Sequence, residues 1–322
     1  MKFRTEITIT PFERPIGYRN RMLALGSCFA DEIGARLADA KFSIRCNPAG
    51  PLFNPLSILA LIERGLDRRP FTLDELHQNS DGEWFSFDLS TRFTEPTAEA
   101  LLQRANRLTE ELTATIEQAD RLLITFGTAW VYRLQADDAI VANCHKQPQQ
   151  LFRRERLTVE QIVTSWSRLI ERLPNKQITL TVSPIRHLGD GLEGNAVSKA
   201  ILRLAAEELT ERHTTVHYFP AYELLLDDLR DYRFYADDLC HPSHQAIDYI
   251  WEHFTSAALT TETQQTLGEV ARLTAFLRHR PLHPSSESYR TECRRTIERM
   301  KQLAARTNID FSEEIAALTM RI

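Results

Sequence analysis

The sequence predicts a doubly wound α/β fold built on a mostly parallel sheet. Three observations carry this expectation. Short, almost wholly apolar runs recur along the chain, as strands buried on both faces require. Most of them are followed by an amphipathic stretch that reads as a crossover helix. Two of the runs end in small residues, Gly26-Ser27 and Gly127-Thr128, in turns that would sit at the carboxyl edge of a sheet, where open α/β folds keep their ligand sites.

The chain has 322 residues, enough for one large α/β domain with an appendage or for two small domains. Lys and Arg total 39 against 44 Asp and Glu, a net charge of -5 that gives no general attraction to nucleic acid or to an anionic membrane. No stretch approaches the roughly 18 apolar residues of a membrane span, and Met1 to Glu6 lacks the apolar core of a secretion signal. The expected location is the cytoplasm. The five cysteines, at 28, 46, 144, 240 and 293, form no CxxC pair and are odd in number, which points to reduced thiols rather than a disulfide framework.

Thr5 to Thr10 alternates polar and apolar residues ahead of Pro11 and reads as an edge strand or lead-in. Met22 to Leu25 is the first buried strand, and Phe29, Ile33 and Leu37 then mark one face of a helix. Phe42 to Cys46 is a second short strand. Asn47-Pro48-Ala49-Gly50-Pro51 is a loop, and Asn54-Pro55 caps and opens a helix through Ile62. Phe71 to Phe93 breaks the pattern and suggests an insertion with a β element. Thr97 to Ala119 is a long amphipathic helix leading into a third buried strand, Arg121 to Phe126. Trp130 to Leu134 and Ala139 to Ala142, separated by Asp137-Asp138, read as a hairpin that would deliver Asn143-Cys144-His145-Lys146 toward the site. A helix over Leu157 to Leu173, a fourth strand over Gln177 to Val182, a helix from about Asn195 to Thr210 and a fifth strand over Thr215 to Phe219 complete the alternation. From Thr261 the character changes to two charge-rich amphipathic helices joined by a Pro-dense linker, Arg280 to Ser285. The resulting division is 1–257 for the α/β domain and 258–322 for a helical extension, which packs back on the sheet domain or presents a dimer surface.

Ser27 follows Gly26 directly and precedes a helix, so two readings stand: a Ser that caps the helix, and a hydroxyl presented as a nucleophile. A Ser needs a base, and the base needs an orienting acceptor on its other ring nitrogen. Asp238-x-x-His241 has the spacing for a carboxylate to fold back onto an imidazole, although a solvated loop acid and a helix-opening His-Pro-Ser give the same letters. Cys28 competes with Ser27, since a thiolate at a helix N-terminus is the stronger nucleophile. Cys144, His145 and His187 lack any zinc spacing, and no metal or other cofactor is expected. Arg186 and His187, after the fourth strand, are placed for substrate contact or for loop hydrogen bonding. Trp130 and Tyr132 read as core or as a platform for a sugar or an aromatic acyl group.

Gly26-Ser27-Cys28-Phe29-Ala30 resembles the signature of the GSCFA-domain proteins. Asn143-Cys144-His145-Lys146, Ser183-Pro184-Ile185-Arg186-His187 and Asp238-x-x-His241-Pro242-Ser243 resemble that family's later motifs in order, over about residues 1–257. GSCFA proteins are in turn similar to the SGNH (GDSL-like) hydrolases. The resemblance implies a three-layer α/β/α sandwich with flavodoxin-like strand order and ester hydrolysis or acyl transfer through an acyl-Ser27 intermediate. It makes Ser27 the nucleophile, His241 the base and Asp238 its orienting carboxylate. It also implies an oxyanion hole in which Gly50 stands for the second-block glycine, whereas Ala129 occupies the place of the third-block Asn. The replacement donor is sought among Asn54, Thr128, Asn143 and His145, with Asn143 and His145 first. The expected substrate is a small-molecule or carbohydrate-linked ester; a weakly catalytic binding protein on the same fold is the alternative. The sequence leaves the oligomeric state open.

Overall fold

The computed structural model describes residues 4–279 and 281–322. Five strands form the central sheet: β1 (Arg21–Gly26), β2 (Ser43–Cys46), β3 (Arg121–Phe126), β4 (Gln177–Val182) and β5 (Val216–Tyr218). All neighbours pair in parallel, in the order β2-β1-β3-β4-β5, the flavodoxin-like doubly wound order. Gly26 stands opposite Thr125, so the turns after β1 and β3 emerge side by side at the carboxyl edge.

Alternation along the strands divides the interior into two layers. Leu23, Leu25, Leu122, Ile124, Ile178 and Leu180 face one side, against helices α2 (Pro55–Leu66), α3 (Ala98–Gln118), α4 (Val159–Glu171) and α5 (Gly191–Arg212). Met22, Ala24 and Leu123 face the other, against α1 (Cys28–Asp39) and α6 (His244–Ala258). Helices therefore cover both faces, and every residue of β3 and β4 is buried.

The insertion expected at Phe71 to Phe93 is a three-stranded sheet of His77–Gln78, Trp84–Phe85 and Thr94–Glu95. The hairpin pairs Trp130–Leu134 with Ile140–Val141 and gains a third antiparallel strand, Phe152–Arg156, which the charge-rich letters Arg153-Arg154-Glu155-Arg156 concealed. Thr5 to Thr10 is not a strand. The segment is an extended arm whose amides find other acceptors: Ile7 N donates to buried Asp228, and further along Phe12 N and Ile16 N donate to Ala257 and Ala258 carbonyls at the end of α6.

Helices α7 (Thr261–Arg278), α8 (Glu287–Thr307) and α9 (Ser312–Thr319) bury a small core of their own around Val270, Cys293, Met300 and Phe311. They also pack back on the sheet domain. Tyr18 stacks on Phe42 at 4.2 Å and touches both cores, Arg278 pairs with Asp39 at 2.9 Å, and Lys41 pairs with Glu314. Arg280 of the expected linker, like Met1 to Phe3, lies outside the described residues. No described helix is long and apolar enough to cross a membrane.

Gly26 has φ +142°, and a Cβ there would lie 2.2 Å from the Thr125 carbonyl oxygen. Backbone strain and the displaced β3 act together, so Gly26→Ala is expected to cost about 2–4 kcal/mol. The check is the urea midpoint at unchanged m-value; a variant within experimental error of wild type contradicts the close approach.

Candidate active site

At the carboxyl edge of the sheet lies a cleft of about 650 Å³, a size suited to a small-molecule ligand. Ser27 enters it from the first turn of the chain's first βα unit. The residue is 1% exposed, has extended backbone (φ -69°, ψ 175°), and its Oγ accepts a hydrogen bond from Phe29 N at 3.3 Å as the N-cap of α1. The capping reading of Ser27 holds, and the same side chain lines the cleft. Its turn is held by Gly26 N donating to Asn47 Oδ1 at 2.9 Å, and Asn47 Nδ2 donating to Asp31 Oδ1 at 2.8 Å.

Asp238 and His241 reach the same cleft. One Asp238 oxygen accepts from the amides of Cys240 and His241, both at 2.9 Å, while the other meets His241 Nδ1 at 2.6 Å. These bonds, the His241 amide first, lower the Asp238 carboxyl to about 2. The ionised oxygen fixes the proton on Nδ1 and leaves Nε2 as the basic nitrogen. Leu239 takes a left-handed φ of +55° to make this tight turn, and Ala236 N to His241 O (2.8 Å) and Arg186 N to Cys240 O (3.1 Å) hold it. No hydrogen bond joins Ser27 to His241. Cys28 also lines the cleft, but burial, then the Asp31 charge, push its thiol upward, which disfavours a thiolate.

The remaining expected residues separate. Asn143, Asn54, Thr128 and His187 line the cleft; Gly50 and His145 do not. Gly50 donates its amide to Asn47 O at 2.7 Å, and at φ +77° a Cβ would sit 2.0 Å from Ser90 Oγ, so its role is to let two loops touch. His145 is buried, stacks on Phe85 with centroids 4.4 Å apart and bonds the Leu89 carbonyl at 2.9 Å. It is an anchor of the loop rather than a donor to the cleft. The anchor orients Asn143, whose Oδ1 accepts from His145 N at 2.7 Å and whose Nδ2 has no protein partner among the described residues. Asn54 caps α2 with its Oδ1 on Ser57 N and its Nδ2 on Ser57 Oγ. Thr128 Oγ1 bonds Ser198 Oγ and accepts from Trp130 N. Trp130 and Tyr132 line the cleft, Trp130 beneath the Arg154 guanidinium at 4.0 Å.

Sequence reasoning missed the groups that hold the cleft from below. Lys199 on α5 is 1% exposed and donates to Gly127 O at 2.6 Å and Ser183 O at 2.8 Å, the carbonyls just past β3 and β4. Its neighbour Ser198 accepts from Ala129 N at 2.8 Å, and Asn195 accepts from His187 N at 3.0 Å. The available signal was position: Lys199 shares a helical face with the buried residues Leu202, Ala206 and Leu209. Burial holds the Lys199 ammonium down to about 7, and burial together with that lysine holds His187 down to about 4. Among the described residues, no group of three or more His, Cys, Asp or Glu is arranged to hold a metal ion.

A scan against protein-family models matches residues 21–254 to the GSCFA family. The chain belongs to the GSCFA family. A second match covers residues 270–322, described as the C-terminal domain of GSCFA domain proteins, so the helical tail, which the GSCFA resemblance did not explain, has a family model of its own. A comparison with curated proteins returns no match. Every motif of the GSCFA resemblance (Gly26 to Ala30, Asn143 to Lys146, Ser183 to His187 and Asp238 to Ser243) contributes at least one residue to the wall of the cleft.

Between about pH 7 and the unfolded lysine value near 10.4, the unfolded chain binds one more proton at Lys199 than the folded chain does. The cost of burying the charge is fully present below that window, and stability rises with pH through it. The stability of wild type relative to Lys199→Met is therefore expected to increase from pH 7 to pH 9, by up to about 1.4 kcal/mol per unit. Urea melts at pH 7, 8 and 9 check this; a difference that stays flat or falls contradicts the assignment.

Proposed function

We propose that this GSCFA protein is a serine hydrolase of the SGNH type, which cleaves a small or carbohydrate-linked ester through an acyl-Ser27 intermediate. The observation that supports it is the convergence of Ser27 and a hydrogen-bonded Asp238–His241 pair on one cleft at the carboxyl edge of a β2-β1-β3-β4-β5 sheet.

The roles follow from the bonds already made. Ser27 Oγ uses a lone pair to accept from Phe29 N, so its own proton is free to pass to His241 Nε2 once substrate draws the two together. Oγ then bonds the acyl carbon, and the positive end of α1 lies at the alkoxide that forms. Asp238 stays ionised and stabilises the imidazolium. His241 next gives its proton to the departing alcohol, and a water activated at the same nitrogen cleaves the acyl-Ser27 ester. The His241 side chain is 50% exposed, which gives that water access and favours hydrolysis over transfer to a second alcohol. For the oxyanion, Asn143 supplies the donor that Ala129 lacks, since its Nδ2 faces no competing acceptor while Asn54 and Thr128 are already engaged.

Turnover of p-nitrophenyl acetate is expected to fall at least about 10³-fold in Ser27→Ala and in His241→Ala. Labelling by a fluorophosphonate is expected to vanish in Ser27→Ala. Activity that survives in Ser27→Ala but is lost in Cys28→Ala moves the nucleophile to the thiol; wild type that neither turns over nor labels favours a ligand-binding protein. Asn143→Ala is expected to lower kcat by about 10²–10³ with the fold intact by circular dichroism, and an unchanged kcat removes Asn143 from the oxyanion hole.

A further inference from the structure

Among the described residues, Arg186 is the one lysine or arginine side chain on the wall of the cleft. Its guanidinium carbon lies 3.9 Å from the centre of the Tyr235 ring and 5.1 Å from that of Tyr232, and its backbone amide is fixed to Cys240 O at 3.1 Å. Stacking uses the faces of a guanidinium and leaves its donors around the edge. Arg154, over the ring of Trp130, pairs with Asp190. Among the described residues no carboxylate pairs with Arg186. The carboxylate that shares the cleft wall, Asp238, is committed to His241 and to two backbone amides. Lys199, buried behind Gly127 and Ser183, has its donors on those two carbonyls. The rest of the wall is mostly apolar, with Phe53, Trp130, Val131, Tyr132 and Ile185.

We infer that the cleft takes an amphiphilic anion: an acyl ester that carries a carboxylate or a phosphate, the charged group bound by Arg186 and the carbon chain lying against Phe53, Trp130 and Tyr132. This rests on the hydrolytic reading for its ester and on Arg186 for its charge. A guanidinium stacked against Tyr235 and without a carboxylate partner has edge donors, besides the one that reaches the Tyr235 hydroxyl, to offer a carboxylate or phosphate.

The test has one catalytic and one binding arm. In the first, kcat/KM is measured for mono-p-nitrophenyl adipate and for p-nitrophenyl hexanoate, acyl chains of equal length with and without a terminal carboxylate. Wild type is expected to prefer the adipate, and the preference ratio to fall about tenfold or more in Arg186→Gln, the worth of a charge-assisted hydrogen bond, with partial recovery in Arg186→Lys. A wild-type ratio at or below one, or a ratio unchanged in Arg186→Gln, overturns the inference. In the second arm, Ser27→Ala is titrated calorimetrically with hexanoate, hexyl phosphate and hexanol. Binding of either anion at least tenfold tighter than hexanol, lost when Arg186→Gln is added, upholds the anion site even if neither ester is hydrolysed, a result that fells only the hydrolytic reading. The tighter of the two anions identifies the charged group. Equal affinity for all three overturns the anion site whatever the esterase assay returns. Should Arg186→Gln not fold by circular dichroism, Arg186→Met, which likewise removes the charge and keeps an apolar stem against Tyr235, carries both arms with the same criteria.

Discussion

One buried amine fastens the two loops on which the cleft depends. Parallel strands end in carbonyls that the ladder cannot satisfy, and here two of them, Gly127 O and Ser183 O, point at Lys199 Nζ. A charged amine in this position loses several kcal/mol of hydration, which two hydrogen bonds of about 1.5–3 kcal/mol each only just offset. A neutral amine carries two N–H donors for the two carbonyls and leaves none unmatched, and burial, which penalises the charged form, is why its extra proton is held so loosely. Methionine in this place would fill the volume and orphan both carbonyls. With Ser198 and Asn195 beside it, this face of α5 sets the paths of Gly127 to Trp130 and of Ser183 to His187, and through them the aromatic and cationic parts of the cleft wall.

At Ser27 the helix cap and the proposed nucleophilic role are compatible because they fall on different parts of the hydroxyl. Capping needs a lone pair, which Phe29 N uses; nucleophilic attack needs the proton to leave and another lone pair to face the substrate. The geometry depends on Gly26, whose missing Cβ lets β1 meet Thr125 at the point where the chain turns. The neighbouring thiol is set apart by burial and charge, since burial first and then Asp31 in the first turn of α1 keep Cys28 protonated.

The fold was legible wherever burial imposes a pattern. The three inner strands β1, β3 and β4 follow from apolar runs, because a strand covered on both faces admits few polar residues, and the helices between strands follow from helical spacing. Phe152–Arg156 was not legible, since a strand on an exposed appended sheet carries Arg and Glu that give no alternation. Thr5 to Thr10 misled for the opposite reason: its alternation records an arm with one side against the protein, and periodicity says nothing of what accepts its amide hydrogens. In the site, Asp238-x-x-His241 was readable because both partners lie within one turn of chain. Gly50 and His145 were misplaced because their partners, Ser90 and Leu89, are far along the chain and nothing local names them. Lys199 was missed because charge was read as exposure, although its neighbours at helical spacing are apolar.

The position of Asn143 gives the proposed chemistry a particular weakness and a particular control. An oxyanion donor on the loop after β3 would be held by the central sheet; Ala129 fills that place and is wholly buried. Asn143 instead follows the hairpin of an appended three-stranded sheet, with Asn143 N on Phe87 O at 3.2 Å and its carboxamide set by the His145 amide. His145 is in turn fixed by Phe85 and Leu89, which belong to the other insertion. The donor is therefore positioned by contact between two insertions rather than by the sheet that positions Ser27. Small antiparallel sheets of this size have little stability alone, so the interlock of His145 with Phe85 carries the precision that a strand end would otherwise supply. Loosening that contact would shift Asn143 relative to Ser27 without touching the nucleophile, the base or the core, and its effect would fall on stabilisation of the oxyanion before it fell on folding.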